Sequence, residues 1–249
     1  MRRRTYLPLI WGILCLIVSK NSFSQEAKID SSSQQGALNS TLSLFYASVG
    51  KQSSLYNGTE YTYYDPIITG NAYFSDVKAF SPGSINYNGV TFNQVPMLYD
   101  VYSDQVIVLL YNHFTKIALV KDKVASFDYL DHHFINIVAD TLASNTILLS
   151  GYYDELYNGK SQVLAKREKN IQTTSGQTSI ESYFNPVKSY YLRKNNVYYS
   201  ISSKGSMLDV LKDKKKQLQQ YIRASKINFR KDPEEAMVKI ASYYDQISK

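Results

Sequence analysis

From about residue 51 to residue 203 the chain is built of short runs of Val, Ile, Tyr, Phe and Thr, broken by Asn-Gly, Pro-Gly and Asp-bearing turns. This is the pattern of strands and hairpins. A parallel crossover needs about a dozen residues, and several of these runs are separated by only a few, so the sheet is expected to be mainly antiparallel. The clearest hairpin places Asn88-Gly89 between residues 84–87 and 90–92, because Asn-Gly accepts the positive φ angles of a two-residue type I′ turn. A second hairpin is expected from residues 188–193 and 197–202 around Lys194, Asn195 and Asn196. Further strands are expected at 97–102, 105–111, 116–121, 124–130, 134–138, 147–153 and 161–169, for about eight to eleven in all. Residues 106–110 are apolar throughout and suit a strand covered on both faces. The Gln, Thr, Ser and Gly segment 170–179 predicts a loop.

The ends read differently. Arg2, Arg3 and Arg4 precede an apolar run, residues 7–18, that is too short to span a bilayer comfortably, and Ser22-Phe23-Ser24 offers small residues for a signal peptidase. Residues 1–24 are therefore expected to be a cleaved secretory signal, residues 25–36 a polar tether, 37–203 the β domain with a short leading helix, and 204–249 a helical hairpin packed on the sheet. The leading helix rests on Leu38, Leu42, Phe45 and Val49 at helical spacing, with Gly50 as its stop. In the C-terminal hairpin, Ser206 with Asp209 suggests a capping box, with Leu208, Leu211, Leu218 and Ile222 on one side. Asp232, Pro233, Glu234 and Glu235 make a stronger helix start, followed by Ala236, Met237, Ile240, Tyr244 and Ile247. The expected fold class is α+β, mainly antiparallel β.

Removing the signal takes away Cys15 and Trp11, so the mature chain holds neither disulfide nor thiolate ligand. It also lowers the formal charge from +7 to +3, of which residues 204–249 carry +5 and residues 25–203 carry −2. The basic character thus belongs to the signal and the last helices, and a nucleic-acid partner is not expected. No nucleophile elbow or phosphate-binding glycine loop is present, and no cofactor is expected. His132 and His133 would point to opposite faces if this stretch is extended, and with Asp131 they also fit a polar strand-to-strand turn; no metal site is expected. Carboxylate chemistry is confined to Asp100, Asp104, Asp154 and Glu155, which could serve a glycosidase-like hydrolase only if they converged on one cleft.

Tyrosine is the compositional anomaly, with 23 in the chain, often paired as in Tyr63-Tyr64 and Tyr152-Tyr153. On a strand such a pair sends one ring to each face, where it packs or offers a rigid contact surface. Tyr63, Tyr64, Tyr99, Tyr102, Tyr152, Tyr153 and Tyr157 are the candidate surface for a ligand or partner.

Residues 55–61 (Leu55-Tyr56-Asn57-Gly58-Thr59-Glu60-Tyr61), 95–100, 151–160 and 229–234, with Tyr243-Tyr244-Asp245, resemble a group of exported β-rich proteins of the Bacteroidota that have no assigned activity. The resemblance implies a compartment, periplasm or cell surface, and no reaction. The expectation is an exported, non-catalytic binding or structural module for an envelope protein, glycan or lipid, with no membrane span in the mature chain. The alternatives are a carrier that encloses an apolar ligand and the carboxylate hydrolase.

Overall fold

Strand connectivity follows from the turn chemistry. Asn88 and Gly89 adopt φ +56° and +80°, and Asn195 and Asn196 adopt +51° and +61°, so both predicted two-residue turns form between paired strands. The computed structural model of the protein describes residues 36, 38–44, 54–110, 112–139, 147–175 and 180–248. The expected signal, nearly all of the tether, and Phe45, Val49 and Gly50 of the leading helix lie outside them. Gly36 and residues 38–44 are helical, and Leu42 packs against the sheet core.

Among the described residues eleven strands form a single sheet in which every paired neighbour is antiparallel. They are β1 (Thr59–Glu60), β2 (Ser81–Tyr87), β3 (Val90–Asp100), β4 (Gln105–Leu109), β5 (Lys116–Ala118), β6 (Val124–Tyr129), β7 (His132–Ile137), β8 (Gly151–Asn158), β9 (Gln162–Ser175), β10 (Ile180–Lys194) and β11 (Val197–Ile201). Their order across the sheet is β1-β5-β4-β3-β2-β6-β7-β8-β9-β10-β11. Among the described residues the sheet is followed by the α-helices α1 (Lys204–Val210), α2 (Lys215–Ala224) and α3 (Pro233–Ile247).

A bulge in β3 adjusts the side-chain alternation. Asn93 and Gln94 together oppose Ser84, with Gln94 at φ +56°, so the inward residues change from Val90 and Phe92 to Val95, Met97 and Tyr99. The main core joins these to Ile85, Tyr87, Val106, Val108, Phe127, Phe134 and Tyr152. Phe127 stacks on Phe134 at 4.7 Å, and Tyr99 meets Phe127, Phe134 and Tyr152 edge-on at 5.0 to 5.9 Å. Ring packing of this kind adds about 0.5–1.5 kcal/mol per pair to area burial.

The sheet curls until the end of β3 reaches β8 and β9, which are four and five places away in strand order. The Lys169 N–H donates to the Val101 carbonyl at 3.3 Å. Asp104, in the β3–β4 turn, accepts hydrogen bonds from the Tyr99 hydroxyl (2.6 Å), the Lys121 and Lys166 ammonium groups (2.6 and 2.8 Å) and the Tyr152 N–H (3.2 Å). Burial would raise the Asp104 carboxyl pKa, but Lys166 and Lys121 bring it below the usual value. The same sheet face continues through Ala165, Val163 and Leu192, and there the three helices cover it with Met207, Leu211, Leu218, Met237 and Ile240.

Several expectations are corrected. Residues 170–175 are not loop but the outer half of β9, paired with residues 180–185 of β10; a polar face suits strands that stand in solvent. Residues 176–179 lie outside the described chain. The strand expected at 147–153 begins only at Gly151 and runs on to Asn158, which places Asp154 and Glu155 inside it. The first C-terminal helix is capped by Ser203, with Ser206 as its reciprocal partner. That helical arm is also broken at Leu211, where Lys194 donates to the Val210 carbonyl (3.1 Å) and pairs with Asp213. Asp232 caps α3 as expected, accepting from the Glu235 N–H at 2.9 Å.

Candidate functional site

The segment between β1 and β2 has no long strand of its own, and it crosses the sheet near the β3–β4 turn. Thr69 joins β10 by paired backbone hydrogen bonds with Ser182 and Phe184. Lys169, its side chain buried, fastens the next residues by donating to the carbonyls of Asn71 and Tyr73 (both 2.8 Å) and pairing with Asp76 (2.6 Å). This brings Tyr61 and Tyr64 onto the last residue of β3, Asp100, which has no exposed surface. One Asp100 oxygen accepts from the Tyr64 hydroxyl (2.7 Å) and the Tyr61 hydroxyl (3.0 Å), and the other from the N–H groups of Tyr102 and Ser103 (2.9 and 3.0 Å). Burial, helped by the Asp100 charge, pushes both phenols well above the ordinary tyrosine value, so they remain donors.

Around this hub the rings are held by their neighbours and not by chance rotamers. Tyr64, Tyr102 and Phe184 meet edge-on with centroids 5.2 to 5.6 Å apart. On the other side Tyr63 lies edge-on to Tyr61 at 6.0 Å, and the Lys116 ammonium sits 4.7 Å above its ring and 5.8 Å from that of Phe114. The outward members are Phe114 (80% exposed), Tyr63 (58%) and Tyr102 (41%). Exposed aromatic side chains on a buried, fully bonded carboxylate form a preorganised contact surface.

No protein family, curated protein or solved structure matches this chain.

Of the seven candidate tyrosines, Tyr63, Tyr64 and Tyr102 come together here. Tyr99 and Tyr152 are instead interior residues of the main core, and Tyr153 is buried on the opposite face against Leu164. Tyr99 and Tyr152 lie inside the curled sheet, and Tyr153, on the other face, is covered by Leu148 and its strand neighbours. Tyr157 donates to Asp245 (3.0 Å) and ties β8 to α3. Phe114 and Phe184 were not among the candidates; no local motif marks a ring that becomes a neighbour only through the fold.

The four carboxylates occupy separate networks. Asp100 serves the tyrosines and Asp104 the two lysines, while Glu155 accepts from Gln162. Asp154, also buried, is bonded to Arg167 and to His132 Nδ1 (2.8 Å), and Arg167 holds Glu234 of α3 through both of its terminal nitrogens (2.9 and 3.0 Å). A cleft of about 330 Å³ between Phe74, His132, Lys169 and Lys188 opens onto this network. Its fork is saturated by two carboxylates, an arrangement that fastens a helix to a sheet.

His133 faces away from His132 and bonds Asp128 (2.5 Å), which also accepts from the Ser84 hydroxyl (2.5 Å). With the carboxylate between serine and histidine, the imidazole does not receive the hydroxyl proton, so this trio lacks the relay that activates a nucleophile. Among the described residues no group of three acidic, His or Cys side chains could hold a metal ion, and no helix is long and apolar enough to cross a membrane.

Proposed function

We propose that the protein is an exported, non-catalytic binding module that holds a glycan or protein of the cell envelope on the aromatic surface around Asp100. The observation that carries this reading is the fixed set of exposed rings, Tyr63, Tyr102 and Phe114, whose supporting phenols Tyr61 and Tyr64 share one buried carboxylate. Such rings offer large contact area at small entropic cost. Ring-on-ring filling of the sheet interior favours a ligand on the surface over one enclosed by the sheet. The separate occupation of Asp100, Asp104, Asp154 and Glu155 favours binding over hydrolysis. Export rests on the arginine-led apolar run at residues 7–18 and the small residues before Gln25.

The test is calorimetric titration of the purified protein with envelope polysaccharide and with envelope protein fractions, repeated for a Tyr63→Ala/Tyr102→Ala variant. Loss of two contact rings is expected to weaken binding by about tenfold or more while leaving the urea midpoint unchanged. Binding of equal strength by the double variant, or none by the parent protein, would remove the reading.

A further inference from the structure

An open groove of about 980 Å³ lies where the end of β11, the start of α1, the end of α2 and the turn into α3 meet. Its shape comes from how α2 ends. Lys226, in the left-handed conformation at φ +51°, donates its N–H to the Arg223 carbonyl (3.2 Å), and Ile227 donates to the Ile222 carbonyl (3.0 Å). This double closure folds Ile227 back over the helix end. Ile222, Ile227 and Phe229 then form an apolar floor continuous with the helical core.

The rim has a single sign of charge. Lys204 at the start of α1, Arg223 and Lys226 at the end of α2, and Arg230 in the turn before α3 are all exposed, and no carboxylate is among the described residues lining the groove. The acids at the start of α3 are engaged elsewhere: Asp232 caps the helix, Glu234 binds Arg167 and Lys188, and Glu235 pairs with Lys239. An apolar floor with an uncompensated cationic rim complements a ligand that is apolar on one side and anionic on the other. The four cations stand on three separate segments around the floor, which suits anionic groups spread along a chain better than a single head group. A concave site also suits an inserted segment better than a flat bilayer.

We infer that this groove docks an acidic, amphipathic peptide segment of a partner protein. The site is distinct from the aromatic surface around Asp100, and its ligand is recognised by charge.

The test uses fluorescence anisotropy with a labelled peptide of Glu interspersed with Leu and Phe, its Lys-for-Glu counterpart, and phosphatidylglycerol vesicles. The acidic peptide is expected to bind with an affinity that falls as salt rises, and the basic one not to bind. Arg223→Glu/Arg230→Glu is expected to weaken binding by about tenfold without moving the thermal midpoint, since both side chains are exposed. The Tyr63→Ala/Tyr102→Ala variant should bind the peptide as the parent does, which separates this site from the aromatic one. Equal binding of both peptides, no acidic-peptide binding, an unaffected charge-reversal variant, or charge-dependent binding of vesicles in place of peptide would each overturn the inference.

Discussion

Replacing Asp104 by Asn tests what holds the curled sheet closed. The amide keeps the side-chain size and tolerates the left-handed backbone at this position, φ +55°, so the change is mainly one of charge. It leaves Lys166, only 8% exposed, without its counter-ion. Uncoupling a buried pair costs about 3–5 kcal/mol. The lower end applies, because Lys166 still donates to the Tyr152 carbonyl at 3.1 Å and the amide oxygen can accept one bond. Lys121 is 35% exposed, and after solvent screening its share adds less than about 1 kcal/mol. The expected loss is therefore about 3 kcal/mol, read in urea as a midpoint lower by roughly 1 M at a slope of about 2–3 kcal/mol/M. The sign of the pH dependence follows from the lowered carboxyl pKa: the contribution is complete above the unfolded value and is lost as pH falls through the folded value. The gap between parent and variant should thus close in acid. A midpoint shift below about 0.2 M at neutral pH, or a gap that persists through the acid range, would refute the closure argument.

Two further perturbations probe the same framework. Gly151→Ala would set a Cβ 2.4 Å from an Asp104 oxygen and 2.5 Å from the Lys166 nitrogen at a backbone φ of +154°, and should cost about 1–3 kcal/mol in urea unfolding; an unchanged midpoint would mean that the cluster moves aside freely. For Glu234, burial would raise the pKa, but Arg167 holds the carboxyl down to about 2, so its stabilisation is full above the usual carboxylate range and disappears as pH falls toward that value. Glu234→Gln should therefore lower stability by about 1–2 kcal/mol at neutral pH after allowance for solvent screening, with the difference vanishing in strong acid, which thermal melts across pH would show.

Local rules reached much of this fold. Asn88-Gly89 and Asn195-Asn196 specify their hairpins because the required backbone angles are properties of those residues. Asp232 before Pro233 and two glutamates specifies the start of α3 for the same kind of reason. Local reading failed where pairing supplied what composition lacked: residues 170–175 look like loop, yet β10 gives their backbone a partner. It also misplaced the first C-terminal cap, since Ser203 and Ser206 both satisfy capping chemistry and only the chain direction out of β11 selects between them.

The candidate site was half legible. Tyr63, Tyr64 and Tyr102 stood out as tyrosines, but so did Tyr99, Tyr152 and Tyr153, which became core. The sequence alone determined an antiparallel, tyrosine-rich sheet with terminal helices, because strand propensity, turn angles and caps act over a few residues. Only the tertiary structure decided which rings face solvent, that Asp100 gathers two tyrosines from a segment some forty residues earlier, and that Asp104 meets Lys166 across the roll. Those outcomes depend on which strands meet when the sheet curls, and a contact between residues distant along the chain leaves no local pattern.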